Sequence, residues 1–128
     1  DAAMTQAALA ELPLESLDLV FLENVGNLIC TAQHETGAHL NVAILSVPEG
    51  DDKPLKYPVM FQAADAIVLS KTDYLEIAGF DVAAATERIR RLNPDSPVMS
   101  LSCRTGDGVA EWISWLAAGV GVRLGAPD

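Results

Sequence analysis

An α/β fold, a parallel sheet flanked by helices, is the architecture this chain of 128 residues predicts. Three observations carry that reading. Short, mainly apolar runs recur at 17–22, 42–47, 66–69 and 98–101, and such runs suit strands buried on both faces. Stretches with helical spacing alternate with them, the order that builds parallel βα units. Each run then hands over to polar residues at its carboxyl end, the edge where an open parallel sheet binds ligands.

Taken in order, residues 2–11 (AAMTQAALAE) are strong helix formers. The run 17–22 predicts a first strand ending in Glu23-Asn24, and 42–47 a second ending in Pro48-Glu49-Gly50-Asp51-Asp52. Residues 54–64 predict a helix with Pro54 in its first turn, where a missing N–H is harmless. The third strand, 66–69, leads into Ser70-Lys71-Thr72-Asp73. Asp81 is placed to cap a helix with Val82, Ala85, Ile89 and Leu92 inward, and Asn93-Pro94 ends it. The fourth strand, 98–101, delivers Ser102-Cys103-Arg104-Thr105-Gly106. Asp107 is expected to cap a last helix with Val109, Trp112, Ile113 and Leu116 on one stripe. Residues 125–128 read as a frayed tail, leaving 1–124 as one domain.

Half of the residues are hydrophobic but only 5% are aromatic, so the core must be aliphatic and alanine-rich. Eight Lys+Arg against 18 Asp+Glu give a net charge of −10, which argues against nucleic acid or an anionic membrane as partner. Cys30 and Cys103 lie far apart and form no disulfide framework, so a reducing, cytoplasmic setting is expected. No run is long enough to span a bilayer, and the first residues have no secretory-signal pattern. The chain starts with Asp1, and it is expected to be the downstream part of something longer.

The polar segments suggest chemistry. Ser70-Lys71-Thr72-Asp73 has the form of the guanine-reading motif N-K-x-D, with Ser70 in place of asparagine. An ionised Asp73 accepts from both N1–H and the exocyclic amine of guanine, whereas adenine presents an acceptor where the first donor should be. The Lys71 stem can lie along the purine face. The bland alternative is a strand followed by a polar turn. One helix and one strand later, Ser102-Cys103-Arg104-Thr105-Gly106 matches the loop whose backbone N–H groups reach guanine O6 in GTPases. Cys103 itself reads as a small buried residue rather than a reactive thiol. Glu23-Asn24-Val25-Gly26 stands where GTPases carry D-x-x-G: Glu23 can hold Mg²⁺ through water, and the Gly26 N–H can meet the γ-phosphate. No G-x-x-x-x-G-K-S/T phosphate loop occurs anywhere in the chain. These 128 residues alone are therefore expected not to hydrolyse GTP.

The strings ENVGNLIC, EGDDKPLKYPVMFQAADAIVLSKTD and SLSCRTGDGVAEWISWL together resemble the hydrogenase nickel-incorporation GTPase family, HypB. The resemblance runs from about Asp1 to about Leu116. It implies a P-loop GTPase fold of the SIMIBI type lacking its N-terminal P-loop strand, hence a partial GTPase domain. It also implies a dimerising GTPase that delivers nickel to the hydrogenase large subunit, working with a HypA-like metallochaperone and with the nickel-storing SlyD where present. By the same resemblance Cys30 is a metal ligand for Ni²⁺ or Zn²⁺. Glu23 and Gly26 serve Mg²⁺ and phosphate sensing. Ser70, Lys71 and Asp73 hold the base, and Ser102, Cys103 and Arg104 supply the loop contacts of bound GTP or GDP. The family's further Cys-His pair would fall upstream of Asp1.

Several residues keep two readings. His34 and His39 follow Cys30 closely enough to invite a metal role but also read as solvated loop histidines. Lys53 and Lys56 suit partner or phosphate contacts or simply a solvated helix start, and Trp115, off the main stripe, could mark an interface. Two other functions also fit: a non-enzymatic dimerisation or metal-binding module, and a GTPase chaperone for another metal or cofactor enzyme. Without a central strand, the core is expected to close poorly and the segment to be marginally stable.

Overall fold

The computed structural model describes residues 2–23 and 38–121. A three-stranded parallel sheet in the order β1-β2-β3 organises the fold, with β1 at Val42–Ser46, β2 at Ala66–Ser70 and β3 at Val98–Ser100. Val42 pairs with Ala66 and Ser46 with Ser70; Ile67 pairs with Val98 and Leu69 with Ser100. Ala66, Ile67, Val68 and Leu69 of the central strand are all buried, as their unbroken apolar sequence requires. β1 stops where Pro48 cannot donate to a ladder, and a 3-10 turn takes over at Val47–Glu49.

The predicted strand at 17–22 does not form. After a 3-10 turn at Leu14–Ser16 the chain runs without a ladder, and Phe21 stays 69% exposed and Leu22 47%. The run has the composition of a buried strand, but a strand exists only by pairing. Among the described residues β1 pairs with β2 alone, and no strand lies beside 17–22.

Helix α1 spans Ala2–Ala10, as its composition predicts. The single helix expected over 54–64 is two short ones, α2 (Lys53–Lys56) and α3 (Pro58–Gln62). Pro58 has no N–H and pushes the residue before it out of the helical region; Tyr57 accordingly sits at φ −132°, ψ 62°. A further short helix, α4 (Leu75–Ala78), follows the third polar segment. α5 (Val82–Leu92) is capped as expected, the Ala84 N–H donating to Asp81 Oδ1 at 3.0 Å. α6 covers Val109–Val120, and here the cap differs from expectation. The Asp107 N–H donates to Thr105 Oγ1 at 3.2 Å and its carbonyl accepts from the Ser102 N–H at 2.9 Å. Asp107 is thus committed to the preceding turn, and Gly108 occupies the cap position with φ +76°. Only glycine fits there: a Cβ would lie 2.0 Å from the Ser100 carbonyl oxygen.

Leu45, Phe61, Ile67, Leu69, Ala85 and Ile89 are fully buried between the sheet and α3 and α5. Ala85 and Ile89 therefore face inward as predicted, with Val82 and Leu92 partly buried at the margin. Asn93 does more than end α5. Its side-chain amide donates to the Phe61 carbonyl at 2.9 Å and the Ala64 carbonyl at 2.8 Å, tying the helix end to the α3–β2 connection. On α6, Ala117 is buried while Ile113 is 44% exposed, so the inward stripe is rotated from the predicted one. Trp112 and Trp115 stack on each other with ring centroids 5.7 Å apart. No helix of the described residues is long and apolar enough to cross a membrane.

Candidate functional site

Three of the four polar segments leave the sheet at the carboxyl ends of β1, β2 and β3. At the end of β2, Lys71 takes a left-handed conformation, φ 59° and ψ 42°. That turn starts a 3-10 segment, Thr72–Tyr74, closed by the Tyr74 N–H donating to the Lys71 carbonyl at 3.0 Å. Beyond β3 the ladder runs on: the Leu101 N–H donates to the Leu69 carbonyl at 2.8 Å, and the Thr72 N–H to the Leu101 carbonyl at 3.2 Å. The two loops leave the sheet stitched together by main chain.

Their side chains then meet. Ser102 Oγ donates to Asp73 Oδ1 at 2.8 Å, joining positions 29 residues apart. The same oxygen accepts from the Thr105 N–H at 3.2 Å, and the Ser102 carbonyl accepts from the Gly106 N–H at 2.8 Å. Ser102 is 1% exposed, so its hydroxyl is held by the fold and not by solvent. It has one O–H to donate, and that hydrogen bond goes to Asp73. The carboxylate keeps its remaining lone pairs and an exposed face, and can accept further hydrogen bonds there. Bonding to a buried hydroxyl fixes the orientation of the carboxylate before any ligand arrives.

Lys71, Asp73, Cys103 and Arg104 are exposed at this edge, and Ser70 is half-buried at the end of β2. Cys103 is a free, exposed thiol, which corrects the expectation that it is a small buried residue. Its neighbour Ser102 fills the interior position, and the chain turns outward at 103–105. The Thr105 N–H bond does have a sequence signal, since a serine three residues before it is the pattern of a side-chain–backbone turn.

The polar segment after β1 is chiefly occupied in holding itself. Glu49 Oε2 accepts from both the N–H and the hydroxyl of Ser46 at 2.8 Å, and Glu49 Oε1 pairs with Lys53. Burial pushes the Glu49 carboxyl up, but the bonds from Lys53 and Ser46 outweigh it and hold the group below its ordinary value. Asp51 accepts from the Asp81 N–H at 2.8 Å and from Arg88 at 3.2 Å, and Arg88 also donates to the Asp51 carbonyl at 2.7 Å. The Asp81 N–H, followed by Arg88, keeps the Asp51 carboxyl below the ordinary aspartate range. Lys53 also lies 6.0 Å over the Tyr57 ring, and Lys56 pairs with Asp52 at 3.2 Å. Both lysines are therefore engaged with their own helix start.

Glu23 and His39 are exposed. Gly26, Cys30 and His34, together with Asn24 and Val25, lie outside the described residues. Among the described residues no three His, Cys, Asp or Glu side chains group to hold a metal ion.

A family model described as the CobW/HypB/UreG nucleotide-binding domain matches residues 1–100. The hydrogenase maturation factor HypB of Azotobacter vinelandii is 51% identical over 126 residues, covering 98% of this chain and 42% of that protein. HypB of Escherichia coli strain K12 is 44% identical over 116 residues, covering 91% of this chain and 40% of that protein. The chain thus spans about two-fifths of the length of these curated relatives. The crystal structure of HypB from Archaeoglobus fulgidus superposes with a TM-score of 0.87 at 36% identity, covering 94% of this chain and 58% of that one. That of HypB from Helicobacter pylori in complex with nickel gives 0.88 at 35% identity, covering 99% of this chain and 62% of that one.

Proposed function

Because the chain belongs to the CobW/HypB/UreG nucleotide-binding domain family, we propose that it forms the base-reading part of a GTP-dependent nickel chaperone for nickel–iron hydrogenase maturation. The observation that carries the reading is the Ser102–Asp73 hydrogen bond at the carboxyl edge of the sheet. It joins the two segments that a guanine site requires, in the order such a site requires them. The names of the relatives support hydrogenase maturation, and the nickel complex of one solved relative supports the cargo.

In this reading Asp73 accepts from the guanine edge while the Lys71 stem covers its face. Ser70 and the loop Ser102-Cys103-Arg104 complete the pocket. Glu23, a hard oxygen donor, suits Mg²⁺, and Gly26 meets the γ-phosphate. The Cys30 thiolate suits a borderline-soft cation such as Ni²⁺, and by its chemistry alone Zn²⁺ as well. Cys30 lies four residues beyond Gly26, so ordering of that segment by GTP would assemble the metal ligands and hydrolysis would loosen them. The protein would act in the cytoplasm as a homodimer that docks with a HypA-like metallochaperone and with the hydrogenase large subunit. Hydrolysis belongs to the intact protein. Residues 1–128 lack a G-x-x-x-x-G-K-S/T loop and are expected to show no GTPase activity alone.

Binding of GDP and ADP to the intact protein, with Asp73→Ala beside it, tests the reading. Wild type should prefer GDP by about 10⁴-fold, because ADP leaves the carboxylate unpaired. Asp73→Ala should lose most of that preference. Equal binding of the two nucleotides by wild type, or an unchanged preference in the variant, would refute it.

A further inference from the structure

The chain carries a net charge of −10, yet its cations are not spread evenly. Lys53, Lys56, Arg88, Arg90 and Arg91 are five of its eight lysines and arginines, and they fall in two short stretches. The fold packs those stretches side by side, with both lysines on α2 and all three arginines on α5. Between the helices lies a groove of about 240 Å³, lined by Pro54, Leu55, Pro58, Leu92, Arg88 and Arg91. Small-molecule sites usually measure about 300–1,000 Å³, so this one suits a single large side chain.

The floor of the groove is rigid. Pro54 is fully buried and Pro58 half-buried, and their rings fix the backbone, so little freedom is lost when a side chain enters. Leu55 stands at the lip, 65% exposed. The rim is cationic, and its charges are able to change partners. Arg88 donates to Asp51 through Nη1, which leaves the hydrogens on Nε and Nη2 for a further acceptor. Arg91 donates to Glu87 at 2.6 Å, with both side chains largely exposed, and Lys56 pairs with Asp52 at the surface in the same way. Exposed pairs one helical turn apart contribute little, so a carboxylate that arrives with a buried apolar contact can displace them.

We propose that this groove is a docking site for a partner protein that presents one large apolar side chain flanked by carboxylates. Charge complementarity selects that partner. A protein of net charge −10 repels acidic segments over most of its surface, and this groove is where its cations gather. A long polyanion such as nucleic acid would meet the repelling surface beyond the groove, whereas a short acidic segment does not. The proposal is independent of the guanine-site reading, since neither α2 nor α5 supplies a residue to the base-reading loops.

The experiment titrates the intact protein into a fluorescein-labelled peptide that has a central leucine–phenylalanine pair between runs of glutamate, and follows anisotropy. The variants Leu55→Ser and Arg91→Glu change exposed side chains and should leave thermal unfolding and GDP binding as in wild type. Wild type should bind the peptide with a Kd on the order of 100 μM. Arg91→Glu should weaken binding about tenfold and Leu55→Ser about fivefold, and a peptide with alanines in place of leucine–phenylalanine should bind about tenfold more weakly. Absence of binding at about 1 mM would overturn the proposal. Equal binding of the alanine peptide, or an affinity that either variant leaves unchanged, would overturn it too. So would sedimentation in which the two variants turn a dimer into monomers, because a second copy of the chain would then be what covers the groove.

Discussion

Replacing Ser102 with alanine removes one oxygen that makes two hydrogen bonds. One is donated to Asp73 Oδ1 at 2.8 Å, and the other is accepted from the Thr105 N–H at 3.2 Å. Asp73 is exposed, so water can replace the lost donor, and the charge-assisted bond contributes only about 1 kcal/mol. The Thr105 N–H faces a part-buried position and loses its acceptor there, which costs about another 1 kcal/mol. The total is about 2 kcal/mol, or about 6–10 °C in melting temperature for a domain of this size. Urea unfolding should show a lower midpoint with an unchanged slope, since no new surface is exposed in the native state. GDP affinity should fall about tenfold as well, because the carboxylate loses the bond that orients it. An unfolding free energy within about 0.5 kcal/mol of wild type, together with unchanged GDP affinity, would refute the claim that this hydroxyl organises the site.

Gly108→Ala should cost more than about 3 kcal/mol, because its Cβ would meet the Ser100 carbonyl oxygen at 2.0 Å, on a backbone with φ +76°. Gly106→Ala, with φ +87° and open space around the added carbon, should cost only about 1 kcal/mol, and thermal unfolding that ranks the two otherwise would contradict the turn geometry. Asp51 titrates below the ordinary aspartate range when folded, so the folded protein binds fewer protons than the unfolded chain near that range. Its contribution is therefore complete above about pH 4 and is lost as the pH falls through the depressed folded value. The gap in melting temperature between wild type and Asp51→Asn should be present at neutral pH and close in acid; a gap that is independent of pH would count against the Asp51–Asp81–Arg88 clamp.

Much of this molecule is legible in its sequence. The runs 42–47, 66–69 and 98–101 become β1, β2 and β3 within a residue or two, and Asp81 caps α5. Pro58 and the residue before it carried a legible signal for the break between α2 and α3, which the apolar run through 54–64 masked. The last-helix cap was not legible. Asp107 has the right chemistry for it, but Ser102 and Thr105 claim its main chain first.

Hydrophobic runs and capping residues report on short-range physics, the burial of a face and the first turn of a helix, and for β1, β2, β3 and α5 the sequence alone determined these. It also determined that polar segments gather at one edge of a parallel sheet, since alternating strands and helices leave few other arrangements. Tertiary structure alone decided that 17–22 finds no ladder, that Ser102 turns inward while Cys103 faces solvent, and that the Ser102 hydroxyl donates its hydrogen bond to Asp73. Each of those outcomes depends on which partner, tens of residues away, arrives within about 3 Å, a distance set by the folded loops and not by any local preference.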